Sequence, residues 1–207
     1  MEKMFKKRLY LSHQYYIASL NIMDALLLHK NKNCVVSDRE ISDKELFEAT
    51  RYSSSSIICP LLFCFYQTIE LYLKAFVYYH VDGKHNHDTN TLLKLYKEYY
   101  PQQKGTIKRL EFYLSMCKCK IRHNNIHFIR SFCLENKISD NKTLYNSLRY
   151  PDKADKEVLE YILLQYFNPS VKLNQIKNMR NDLKYIISKG AILFREMEDL
   201  EKQNRGD

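Results

Sequence analysis

Glycine and proline are scarce in this chain, since each occurs only four times among its 207 residues. Tight turns and flexible linkers depend on these two residue types, and no stretch of the sequence is rich in both. This scarcity disfavours both a fold of many short strands and a division into two domains by a linker. The length is sufficient for one domain with a substantial core. We predict a single all-α domain over residues 1–207.

Long uninterrupted apolar runs are also lacking. Near the N-terminus, His13 and Asn21 break the stretch that a secretion signal would need. The most apolar segment, residues 57–79, contains Glu70 and Lys74, and a charged residue near the centre of a membrane-spanning helix costs about 2.5 to 3.5 kcal/mol. We therefore expect a core helix there, no membrane span and no export signal. We also expect the protein to be cytoplasmic and its cysteines to be reduced.

Basic residues outnumber acidic ones, with 33 Lys and Arg against 24 Asp and Glu and a net charge of +9. Much of the excess lies in residues 104–130, where Glu111 is the only acid. The segment contains seven basic residues, which are Lys104, Lys108, Arg109, Lys118, Lys120, Arg122 and Arg130. Such clustering is typical either of a surface that contacts phosphates or of a solvated helix face. We predict that these seven residues contact RNA or a nucleotide.

Apolar residues recur at steps of three and four along most of the chain, which predicts helices. We expect helices over residues 4–29, 56–80, 91–99, 102–121, 125–135, 155–167 and 169–202, with a short helical turn around residues 44–49 between the first two. The boundary between the fourth helix, 102–121, and the fifth, 125–135, stays open. In the last helix, Asn168-Pro169 fits an N-cap followed by a proline in the first turn. Its apolar positions form a heptad seam at Ile176, Met179, Leu183, Ile186, Gly190, Leu193, Met197 and Leu200. That seam either packs inside the bundle or joins two copies of the chain.

Three features of the sequence resemble the HEPN family. Glu70, Leu73 and Lys74 match its Glu-x-x-Leu-Lys helix, His87-Asp88 resembles the His-Asp pair that precedes a short helix, and a third match is Arg149-Tyr150-Pro151-Asp152. The firm similarity covers residues 57–96. The resemblance implies a HEPN-like antiparallel helical bundle with extra helices and a long C-terminal helix. It also implies a dimer and an association with defence or toxin systems.

The same residues have plain structural interpretations. Glu70 and Lys74 lie one helical turn apart, in the order that favours an ion pair on one helix face or beside the core. His87 and Asp88 precede a helix, where they can cap its free backbone N–H groups. We prefer this structural role for His87-Asp88 to a catalytic one.

Many HEPN proteins are metal-independent endoribonucleases with an arginine, a polar residue directly after it, and a histidine five to seven positions after the arginine. The run Arg122-His123-Asn124-Asn125-Ile126-His127 matches that motif. The resemblance implies that His127 moves protons while a ribose 2'-OH attacks the neighbouring phosphate. Arg122 would stabilise the developing charge, with His123 or Asn125 assisting.

Three observations weigh against the motif. Arg8 and His13 have the same spacing, so the spacing alone carries little information. On one continuous helix, Arg122 and His127 would lie about 140° apart around the axis, and they converge only if a helix begins near Arg122. The last helix, where the family usually has its motif, contains Arg180 but no histidine at the required spacing. This departure indicates an inactive relative, or one that uses the earlier motif.

A metal site is the remaining chemical possibility. A zinc ion could use the side chains of Cys117, Cys119, His123 and His127. These residues lack the two separated Cys-x-x-Cys or His-x3-His knuckles that are typical of zinc sites. We therefore predict no metal and no cofactor.

The sequence thus predicts a HEPN-like regulatory module that binds RNA or a nucleotide through residues 104–130, with a homodimer as one option. Two alternatives stay open. One is a metal-independent endoribonuclease that uses Arg122 and His127. The other is a non-catalytic scaffold that dimerises through the heptad seam.

Overall fold

The structure of the protein, a computed structural model, describes residues 2–30, 35–81, 88–118, 127–149 and 169–205. Within these ranges the chain forms eight α-helices, one short 3-10 helix and no β-strand, so the predicted all-α fold class is confirmed. In chain order the elements are α1 (Glu2–Leu28), α2 (Asp43–Thr50), α3 (Ser54–His80), α4 (Thr89–Tyr99), α5 (Lys104–Leu114), the 3-10 helix (Met116–Lys118), α6 (Phe128–Glu135), α7 (Asn141–Arg149) and α8 (Pro169–Arg205). The HEPN-like arrangement of the helices stays a prediction.

The centre of the fold is α3, as expected for the most apolar segment. It packs extensively against α1 and also contacts α4 and α7. Large side chains along it, such as Phe65, Tyr72 and Phe76, are fully buried. Among the residues described, α3 is the one helix long and apolar enough to cross a membrane, and more than half of its most apolar window is buried inside the fold. The core position accounts for this apolarity, while the cytoplasmic location stays a prediction.

The beginning of α3 differs from the prediction. We expected Pro60 in or near the first turn, but α3 begins at Ser54, which places Pro60 in the second turn. Proline has no backbone N–H, so the carbonyl of Ser56 loses a helical hydrogen bond there. Pro60 is exposed, and water can satisfy that carbonyl. Ser53 is the N-cap, as expected of the serine run, but its side chain makes no capping hydrogen bond.

Two helix boundaries in the basic segment are now defined. α5 ends at Leu114 rather than near residue 121, and Ser115 leads into the 3-10 helix. α6 begins at Phe128, so the two predicted helices are separate. Residues 119–126 lie outside the described residues, and so does the predicted helix over residues 155–167.

One helix, α7, was not predicted. The carboxylate of Asp140 accepts hydrogen bonds from the backbone N–H and the hydroxyl of Thr143, at 2.8 and 2.9 Å. This is a capping arrangement that an Asp three residues before a Thr can indicate. α7 packs on α3 through Leu144, which is fully buried.

The heptad seam of α8 packs inside the chain. Seven of its eight positions are buried, and Leu200 is the exception at 58% exposed. α8 contacts α1 and α5. A homodimer would therefore need another surface, and the oligomeric state stays a prediction.

Gly190 allows α8 to pass close to Tyr72 of α3. A Cβ atom at position 190 would clash with Cε2 of the Tyr72 ring. That ring is fully buried, and its hydroxyl lies 2.9 Å from the hydroxyl of Tyr96, so it has no room to move. We expect Gly190→Ala to lower the free energy of unfolding by about 1 to 2 kcal/mol, because overpacking costs about 1 to 3 kcal/mol and alanine returns up to about 1 kcal/mol in helix propensity.

Gly105→Ala is the matched control for Gly190→Ala. A Cβ atom at Gly105 would meet the hydroxyl end of Tyr185, which is only half-buried and can swing aside. We expect the free energy of unfolding to stay within about 0.5 kcal/mol of the wild-type value, because the gain in helix propensity offsets the cost of moving the Tyr185 side chain. Urea unfolding measures both variants. Equal stability of the two would contradict the close contact at Gly190.

Candidate functional site

A cleft of about 250 Å³ lies between α5, the start of α6 and α8. Phe112 and Tyr113 line it from α5, and His127 lines it from the residue before α6. Phe112 is 47% exposed, whereas Tyr113 is buried. The polar side chains that line the cleft from α8 are Gln175, Asn178, Asn181 and Asp182. The cleft therefore combines an open aromatic ring with several amide groups.

The polar stripe on α8 follows from its register. Gln175, Asn178 and Asp182 each precede a residue of the buried seam by one position. Neighbouring residues of a helix are about 100° apart around the axis, so this stripe runs beside the seam. One face of α8 is thus fixed in the core while the adjacent face lines the cleft.

Asp182 is held by two partners from α5. Nε of Arg109 donates to one carboxylate oxygen at 2.7 Å, and the hydroxyl of Tyr113 donates to the other at 2.9 Å. Arg109 also stacks on the ring of Tyr185, 3.9 Å from its centre. Burial and the negative charge of Asp182 raise the pKa of Tyr113, so its hydroxyl stays a donor. The cluster joins α5 to α8 and neutralises the carboxylate.

His127 caps α6 with its side chain. Its Nδ1 accepts a hydrogen bond from the backbone N–H of Ile129 at 3.3 Å. The imidazole stacks on Phe128 and meets Phe112 edge-on. Burial and the positive charge of Arg130 lower the pKa of His127 to about 4. At neutral pH the ring is uncharged, and because Nδ1 accepts, the proton is on Nε2 and can be donated.

The predicted nucleic-acid contacts have different surroundings. Lys104 and Lys108 are exposed on α5, one turn apart, and Lys118 is exposed in the 3-10 helix. Arg130 is half-buried in the first turn of α6, near His127. Arg109 is engaged with Asp182, as described above. Its predicted contact with nucleic acid stays a prediction, as do those of the exposed lysines.

Four of the predicted residues cannot be placed. Lys120 and Arg122 lie outside the described residues, together with His123 and Asn125. The structure therefore places His127 without its predicted partner Arg122, and the convergence of the two stays a prediction.

The sequence interpretation missed the part of the cleft that α8 contributes. Phe112, Asn178 and Asp182 were not singled out. A signal was present, because polar residues at steps of three and four directly precede the seam positions. That signal identifies a polar helix face but not the α5 segment that lies across from it.

Cys117 of the basic segment packs against Cys133 of α6. The sulfur atoms of Cys117 and Cys133 are 3.0 Å apart, and both side chains are buried. The hydrogen bond with Cys117 and burial raise the pKa of Cys133, so Cys133 stays a thiol. In the described part of the chain, no group of three or more His, Cys, Asp or Glu residues could hold a metal ion.

The residues behind the family resemblance serve the fold where they are described. Glu70 and Lys74 form an ion pair at 2.5 Å, buried on α3. Asp88 caps α4, with its carboxylate accepting from the backbone N–H of Asn90 at 3.0 Å. The predicted capping role of Asp88 is confirmed, and His87 lies outside the described residues.

No protein-family model matches the chain, no curated protein is significantly similar to it, and no solved structure matches its fold. Membership of the HEPN family therefore stays a hypothesis that rests on residues 57–96. The geometry of the cleft carries the functional argument.

Proposed function

We propose that the protein binds RNA or a nucleotide, with a base held in the cleft between α5 and α8. The observation that carries this proposal is the combination of the exposed Phe112 ring with the amides of Asn178 and Asn181 across the cleft. Aromatic side chains stack on bases of any sequence. Amides offer a donor and an acceptor at once, which suits the edge of a base.

The charge around the cleft suits a phosphate. Lys108 lies one turn before Phe112 on α5, and Lys104 lies one turn before Lys108; both are exposed. Asp182 is the only acid among the described residues that line the cleft, and Arg109 neutralises it. A ligand with negative charge therefore meets two ammonium groups and no uncompensated carboxylate.

The state of His127 favours binding over proton transfer. A pKa of about 4 leaves the imidazole neutral at pH 7, where it is a weak base and has no extra proton to give. Its Nδ1 is already used by the cap of α6, while Nε2–H remains a donor. Regulatory binding is thus the proposed function, and RNA cleavage by Arg122 and His127 is an alternative outcome of the experiments below.

Phe112→Ala is expected to weaken the binding of single-stranded RNA roughly 5- to 150-fold, because stacking on an aromatic ring is worth about 1 to 3 kcal/mol per base. Fluorescence anisotropy with a labelled mixed-sequence RNA, in EDTA and at fixed salt, measures the dissociation constant. The matched control is Phe47→Ala, which removes a ring that is 63% exposed on α2 and outside the cleft. Equal losses in both variants, or none in either, would contradict the proposal.

The same samples decide the endoribonuclease alternative. Gel analysis of the RNA after incubation in EDTA shows whether it is intact. Cleavage by the wild-type protein that disappears in His127→Ala would establish the enzyme in place of the binding module. Intact RNA together with salt-sensitive binding would support the module.

A further inference from the structure

A second groove lies on another side of α5, between α4, α5 and the 3-10 helix, with a volume of about 370 Å³. Leu93 and Leu114 are buried and give it an apolar floor. Lys94 and Lys97 line it from α4, and Lys118 lines it from the 3-10 helix. Lysines from two separate elements thus converge on one apolar groove.

Positive charge is in excess in this groove. Lys97 is ion-paired with Glu111, the one acid that lines the groove in the described structure. Lys94 and Lys118 are exposed, and neither side chain has an ion pair or hydrogen bond within the described ranges. A solvated helix face explains one such lysine. Two unpaired ammonium groups from different elements, in the same groove as a paired third, favour a ligand with several negative charges.

The groove and the cleft are separated by a single turn of α5. Ser115 lines the groove and Phe112 lines the cleft, and residues three apart on a helix have Cβ atoms about 5 to 6 Å apart. The hydroxyl of Ser115 donates to the carbonyl of Phe112 at 2.9 Å, so this short side chain is held against the backbone between the two. A flexible strand with a base on Phe112 can therefore extend its backbone over this turn into the groove.

We infer that the groove binds phosphates of the strand whose base occupies the cleft, so that the ligand is a single-stranded oligonucleotide rather than a mononucleotide. This inference rests on the proposed function. The cleft supplies base stacking, which a mononucleotide can also use. The groove supplies phosphate contacts that only a longer strand can reach.

The test compares adenosine monophosphate with hexa-adenylate as ligands. The variant Lys94→Gln with Lys118→Gln is expected to bind hexa-adenylate severalfold more weakly and adenosine monophosphate as the wild type does. The slope of log K against log salt is expected to fall by about 1.4, because each phosphate contact of a single strand contributes about 0.7. The matched control is Lys7→Gln with Lys44→Gln, which removes the same charge from exposed positions on α1 and α2. It is expected to retain the wild-type slope.

Each outcome decides a different claim. Equal affinity for the two ligands, with no effect of the groove variant, would overturn the inference and leave the proposed function standing. If inorganic phosphate displaced hexa-adenylate from the groove as readily as adenosine monophosphate does, the inference would also be overturned. The groove would then bind a small free anion instead. A loss in the groove variant without any in Phe112→Ala would overturn the base-binding cleft and leave a phosphate-binding groove. No binding of hexa-adenylate by the wild type would overturn both.

Discussion

Replacing Lys74 with methionine is expected to lower the free energy of unfolding by about 3 to 5 kcal/mol. Nζ of Lys74 lies 2.5 Å from a carboxylate oxygen of Glu70 on the central helix α3. Glu70 is 2% exposed and Lys74 is 8% exposed. The substitution keeps most of the length of the side chain, which becomes one atom shorter, but removes the cation that faces the buried carboxylate. A buried charge deprived of its counter-ion costs far more than the ion pair itself contributes.

A double variant separates that cost from ordinary repacking. Glu70→Leu combined with Lys74→Met removes both charges, and we expect its stability to be near that of the wild type, because apolar residues of similar volume replace buried ion pairs at little net cost. Urea unfolding of the wild type, both single variants and the double variant forms a double-mutant cycle that gives the coupling energy. A double variant as unstable as Lys74→Met would contradict this account.

Lys202→Met is the matched control for Lys74→Met. Lys202 faces Asp199 at 3.9 Å on the exposed end of α8, where both side chains are mostly in solvent. Exposed ion pairs contribute about 0 to 1 kcal/mol, so the same substitution is expected to have a small effect there. If Lys74→Met were no more destabilising than Lys202→Met, burial of the Glu70 pair would not determine its energetics.

The helices with long apolar stripes were predictable from the sequence. α1, α3, α4 and α8 occur within a few residues of their expected bounds, because each buries a stripe whose period is already visible in the chain. The end of α5 was not predictable in that way. Cys117 continues the apolar period beyond Leu114, although the backbone has already left the α-helix at Ser115. Periodicity reports which side chains are buried, and not which hydrogen bonds the backbone makes.

The helix α7 shows the other limit of periodicity. It has nine residues, and only a few of them are apolar. Its position depends on contacts with α3, where Leu144 is fully buried and the hydroxyl of Tyr145 bonds to Gln67. Those partners are more than 70 residues away in sequence. A short helix stabilised by distant partners gives little local signal.

The candidate site was predictable in its charge but not in its shape. The basic segment, residues 104–130, includes the part of α5 that lines one side of the cleft, and His127 was among the candidates. The opposite side comes from α8, more than 45 residues later. Its polar stripe becomes part of a site only when the seam beside it has packed. The lowered pKa of His127 was not predictable either, because a sequence does not show how deeply one imidazole is buried.

Between pH 7 and pH 4, the wild-type protein is expected to lose about 2 to 3 kcal/mol more stability than the variant His127→Asn. In the unfolded chain the imidazole titrates near its ordinary pKa of 6.5, whereas in the fold its pKa is lowered to about 4. Between these two values the unfolded state binds a proton that the folded state does not, so the free energy of unfolding falls as the pH falls. Each pKa unit corresponds to about 1.4 kcal/mol. Asparagine has no titrating group and is itself a good N-cap, so the cap of α6 is kept.

Urea unfolding of both proteins at several pH values measures this difference. His80, whose pKa is also lowered by burial, is present in both proteins, so its contribution cancels. A difference that stays constant from pH 7 to pH 4 would mean that His127 titrates normally. The imidazole would then gain and lose a proton near neutral pH, as a general acid and base must. His127 would then be suited to the catalytic role that the endoribonuclease alternative gives it. A difference that grows as the pH falls would leave His127 a neutral donor, which suits a site that binds RNA without cutting it.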